Sequence, residues 1–92
     1  MEGESIMTTI YSNDMMALAA AHMAIMHYSM RGYLTSCFLD MDTHTYDVTV
    51  HYTDKSKPGI PEGIIPTSFI WKERKASDGS DMKTLELSYH IK

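Results

Sequence analysis

The chain has 92 residues, 43% of them hydrophobic and 22% charged, with a formal net charge of −4 and a single cysteine. That length predicts one domain over residues 1–92 with one core, and the acidic balance excludes a phosphate-tracking surface, which needs a basic stripe. Cys37 alone excludes an intrachain disulfide and fits a reducing, cytoplasmic setting.

The first fourteen residues hold Glu2, Glu4 and Asp14 with no Lys or Arg, the wrong charge for a secretion signal. Met7 would serve as an alternative initiator, because Met1 to Ile6 adds little pattern. Ile6 to Tyr11 is β-prone and predicts a short strand that ends at the helix-capping residues Ser12, Asn13 and Asp14. Met15 to Met30 then carries no charge and contains five methionines and five alanines. Alanine gives this stretch its helical propensity, Arg31 suits the last turn and Gly32 the C′ position. At 16 residues, including His22, His27 and Ser29, it falls short of the roughly 20 apolar residues that span a bilayer. No membrane partner is expected.

Wound at 100° per residue, one broad half of this helix carries Met15, Met16, Leu18, Met23, Ile25, Met26 and Met30, with Ala19, His22 and Ser29. The size of these side chains assigns that half to the core. The opposite half holds Ala17, Ala20, Ala21 and Ala24 with His27 and Tyr28, a flat strip that a second backbone would approach closely. This strip is the first expected partner-binding surface.

Tyr33 to Met41 predicts a strand, Asp40 to His44 a polar turn, and Tyr46 to Tyr52 a second arm in which Tyr46, Val48, Val50 and Tyr52 alternate with Asp47, Thr49 and His51. A loop from Asp54 to Pro66 holds three prolines and two glycines. Thr67 to Arg74 sets Phe69 and Trp71 on one face, a turn follows at Ala76 to Asp81, and Met82 to Lys92 turns Leu85, Leu87, Tyr89 and Ile91 inward. The fold expected is α+β, in the order β-α-β-β-β-β, with one helix on a four- to five-stranded antiparallel sheet.

Candidate chemistry is sparse. Asp40, Asp42 and His44 alternate along the first turn, where their donors would converge on a divalent cation or simply solvate the turn, as Asx residues do for backbone reasons. The solvated turn is the expected state, with no metal and no cofactor. His22 and His27 are five apart, about 140° around a helix, and share no ligand site. His51 and His90 would meet on the outer face if their strands pair. No nucleophile elbow or phosphate-cradling loop is present, so no catalytic residue is expected. From Gly32 to Asp54 there are four acids, Asp40, Asp42, Asp47 and Asp54, and no base. Asp40, Asp42, His44 and Asp47 therefore form a second expected partner-binding surface, an acidic hairpin that would steer toward a basic groove.

No family motif is matched position by position. In size, acidity and architecture the chain resembles small inhibitors encoded by phages and mobile elements, anti-CRISPR and anti-restriction proteins among them. That resemblance implies a non-enzymatic protein that blocks a larger intracellular protein or ribonucleoprotein. Two alternatives stand beside it: a homodimeric structural or accessory subunit paired through the alanine strip, and a small metal-dependent hydrolase built on Asp40, Asp42 and His44. Direct nucleic-acid binding is not expected.

Overall fold

Alternating apolar residues in the last three strands dictate a sheet with one dry face, and the uncharged helix is what dries it. The structure, a computed structural model, describes residues 3–6 and 11–91. Five strands, β1 (Gly3–Ile6), β2 (Leu34–Asp40), β3 (Thr45–Tyr52), β4 (Ser68–Lys75) and β5 (Asp81–His90), form one antiparallel sheet in the order β1-β4-β5-β3-β2. One helix, α1 (Asp14–Met30), lies across β2, β3 and β5. Both expected hairpins form, and β5 joins them by pairing with β3 as well as β4. The first strand lies earlier than the sequence predicts: Gly3–Ile6 pairs with β4, and residues 7–10 of the expected strand lie outside the described residues.

Each end of α1 is closed by the residues its sequence offers. The Asn13 side chain accepts from the Met16 N–H at 2.9 Å, using one of the donors that have no partner within the helix. At the other end Gly32, with φ +88°, donates to the Ser29 carbonyl while Tyr33 N–H reaches back to Tyr28 O at 3.1 Å. This is a Schellman closure. Its apolar contact is the edge-on packing of the Tyr28 and Tyr33 rings, 5.9 Å between centroids. Asn13→Ala is expected to cost about 1 kcal/mol of stability and Asn13→Asp only a few tenths, read as the shift in urea midpoint.

The two faces of α1 are the reverse of the sequence expectation. Ala17, Ala21 and Ala24 are fully buried, with Ala20 and Tyr28 nearly so, in a core completed by Tyr46, Val48, Val50, Phe69, Leu85, Leu87 and Tyr89. Met15 and Met30 are 80% exposed, and Met16, Met23 and Met26 at least half exposed. The cause is volume. Both halves of the helix are apolar, so polarity does not choose between them, but the sheet already presents tyrosine rings, valines and leucines. Alanines let the helix backbone settle onto that filled surface, where a methionine layer would overpack it. Leu18 and Ile25 rim the core as partly buried flank residues.

Tyrosine hydroxyls also hold the long β3–β4 connection down. Tyr28 donates to the Gly59 carbonyl and Tyr33 to Ser56, both at 2.6 Å, Tyr89 donates to Ile64 at 2.9 Å, and Tyr11 to Ile65. Pro58, Pro61 and Pro66 of the same segment are buried. The proline-rich loop is therefore a packed strap, with carbonyls satisfied by tyrosine hydroxyls rooted in the core.

Candidate protein-binding surface

Of the residues expected to meet a partner, the alanine strip is withdrawn from solvent. Ala17, Ala20, Ala21, Ala24 and Tyr28 spend their surface on the sheet, so a second chain has no access to them, and the homodimer built on that strip is corrected for the same reason. His27 remains at the margin, its ring edge-on to Tyr28 at 4.9 Å, with burial and the Arg31 charge holding its pKa below the ordinary imidazole value. It borders an open cleft of about 510 Å³ shared with Arg31, Lys57 and Glu62.

In the first turn the residues do not converge. Asp40 Oδ1 accepts from the backbone N–H groups of Asp42 at 3.0 Å and Thr43 at 3.2 Å, the Asx arrangement that shapes the turn. His44, in the left-handed region at φ +56°, directs Nδ1 to Asp14 Oδ1 at 2.8 Å, away from the other two acids. Asp42 points to solvent. Among the described residues, no three His, Cys, Asp or Glu side chains are grouped to hold a metal ion.

Asp14 is the hub at this end of the molecule. Tyr46 donates its hydroxyl to the same Oδ1 that meets His44, and these two hydrogen bonds hold the Asp14 carboxyl below its usual pKa, Tyr46 contributing most. Burial, then the Asp14 bond, pushes the Tyr46 phenol up to about 12. The carboxylate also sits in the first turn of α1, where the helix dipole favours negative charge. The result is a clamp between helix and hairpin.

The acidic group is dispersed. Asp47 lies half-buried on the sheet face away from α1, in register with Phe38 and Ser88. Asp54 pairs with Lys83 at 3.2 Å, and Lys83 also holds Glu73 at 2.7 Å. On the open face Glu86 bridges Lys72 and Arg74 at 3.2 and 3.3 Å. His51 and His90 do not meet: the pairs His51–Thr84 and Thr45–His90 set them at opposite ends of the β3–β5 ladder, roughly 20 Å apart at about 3.4 Å per residue.

What the sequence reading missed is apolar and exposed. The methionines of α1 lie along its outer half with Ala19 and His22 among them, and β2 separately exposes Leu34 (72% exposed), Phe38 and Leu39, with Met41 in the turn beyond. The signal was present in the sequence as a helix with two apolar halves, of which a single sheet can cover one. Compared with protein-family models, with curated proteins and with solved structures, the chain matches none. No helix among the described residues is long and apolar enough to cross a membrane.

Proposed function

We propose that the chain is a non-enzymatic protein-binding module whose contact surface is the methionine face of α1. The observation that supports it is the exposure of Met15, Met16, Met23, Met26 and Met30 along a helix that carries no charged side chain between Asp14 and Arg31. Monomeric soluble proteins rarely leave large apolar patches open, and such patches mark contact sites. Methionine suits the role because its unbranched, polarizable side chain repacks against irregular partners. The partner in this reading is a larger protein or ribonucleoprotein, and the module acts by occupying a surface that the partner needs, as an inhibitor does. Asp42, exposed at the hairpin tip, would add steering toward a basic target at low ionic strength.

Paired affinity captures test the proposal, with wild-type chain and Met23→Glu compared by quantitative mass spectrometry. The expected result is a protein recovered by the wild type and depleted at least tenfold by the variant, with peroxide footprinting of the complex showing protection of Met16 and Met23. Equal recovery by both chains, or no protection of those methionines, would remove this face as the contact.

A further inference from the structure

We infer that β2 is a homodimerisation edge, pairing antiparallel with β2 of a second copy about a two-fold axis normal to the sheet. Among the described residues β2 pairs only with β3, so one side of its seven-residue backbone is open. Natural edge strands are blunted by shortness, charge or proline. Leu34 to Leu39 has none of these: its residues are Leu, Thr, Ser, Cys, Phe and Leu, with Leu34, Cys37, Phe38 and Leu39 exposed and the first charge at Asp40. The other edge, β1, is four residues long.

The strand is complementary to itself. With the axis at Cys37, the middle residue of Leu34–Asp40, all seven residues pair, Ser36 of one copy lies opposite Phe38 of the other, and Thr35 opposite Leu39. The two Asp40 carboxylates fall at opposite ends, each opposite a Leu34, so no like charges meet. Both helices then lie on the same face of a ten-stranded sheet. The Ser29–Thr35 hydrogen bond, 3.1 Å, shows which flank of α1 overhangs β2: the flank of Leu18, His22, Ile25 and Ser29, with Met15 and Met26 on its crest. A helix centred on β3 would sit about three strand spacings, roughly 14 Å, from its mate. Two helices of about 10–12 Å diameter, side chains included, lie side by side at that distance without clashing.

The edge itself supplies the apolar area for a pair. Leu34, Phe38 and Leu39 are between 38% and 72% exposed, and at about 200 Å² for a whole large apolar side chain they offer roughly 340 Å². Edge backbone and the smaller side chains add to this, for an interface smaller than the roughly 800 Å² per partner of the standard size. Pairing is isologous and closed, because each copy consumes its one long edge. Met16 and Met23 lie on the other flank and stay open, so this inference stands independently of the function proposed above.

Sedimentation equilibrium and cross-linking through the natural Cys37 test it. The wild type is expected to sediment at twice 10.5 kDa and to give a covalent dimer with a short bis-maleimide, since directly opposed cross-strand residues have Cβ atoms about 4.5–5.5 Å apart. Phe38→Glu, a change on the solvent-facing side of the sheet, is expected to sediment as a folded monomer and lose the cross-link. A wild type that remains at 10.5 kDa at millimolar concentration would overturn the inference. So would a dimer that neither cross-links through Cys37 nor responds to Phe38→Glu.

Discussion

Ala24→Glu is expected to unfold the chain, while Met23→Glu, one residue earlier, is expected to leave stability within about 0.5 kcal/mol of wild type. Ala24 is 0% exposed in the core with Tyr46, Val48 and Leu87, and Met23 is 53% exposed. A carboxylate at position 24 would lose its water with no cation to receive it, at a cost of several kcal/mol even after relaxation. Domains of this size have only about 5–15 kcal/mol in total. Even the neutral change Ala24→Leu forces extra methylenes between helix and sheet, which costs about 1–3 kcal/mol. At position 23 a carboxylate meets solvent. Urea denaturation followed by circular dichroism reads all three, and equal tolerance at 23 and 24 would contradict the orientation of α1.

Raising the pH above 10 is expected to unfold the protein steeply. Tyr11, Tyr28, Tyr46, Tyr52 and Tyr89 all have pKa values raised from 10.0, burial being the largest cause in each, and Tyr46 reaches about 12. The folded state therefore keeps these phenols protonated at a pH where the unfolded chain releases them. Stability from a raised pKa is complete below the unfolded value and is lost as pH climbs from that value toward the folded one, so the affected window starts near 10 and extends upward. Each phenol that ionises only on unfolding subtracts up to about 1.4 kcal/mol per pH unit within that window. Several acting together, on bonds that tie the strap at Gly59, Ile64 and Ile65 to the core, give a sharper transition than one group could. Tyrosinate absorbance and loss of ellipticity should rise together. Absorbance of all five of these tyrosines rising near pH 10 with the fold intact would mean that their phenols are solvated.

Local signals carried most of the fold, and the placement of the helix was the exception. Alternation fixed the inward faces of β3 and β5, since Val48, Val50, Leu85 and Leu87 sit two apart in strands with one dry side. Capping residues marked the helix ends because Asn13 and Gly32 act through nearest-neighbour backbone chemistry. The orientation of α1 was not readable from polarity, as neither half carries charge. It depended on a long-range sum of volumes, with Tyr46 and Tyr89 filling from the sheet the space that methionines would have filled from the helix. The candidate surface followed from that error: once the alanines are inside, the methionines are outside. For the acidic turn, spacing gave the right residues and the wrong company, because His44 at positive φ turns to Asp14, thirty residues earlier in the chain. The tyrosine strap was invisible for a similar reason, since each hydroxyl meets a carbonyl at least 23 residues away.

Peroxide oxidation of the native chain, followed methionine by methionine in mass spectrometry, reads directly which half of α1 faces solvent. Met16 and Met23 lie on the flank away from β2, so self-association through that edge leaves them open. Both are expected to oxidise at nearly the rate of the urea-unfolded chain while the circular dichroism of the fold is unchanged. Protection of Met16 and Met23 in the isolated native protein, relieved only by denaturant, would place the methionine half against the sheet and contradict that expectation.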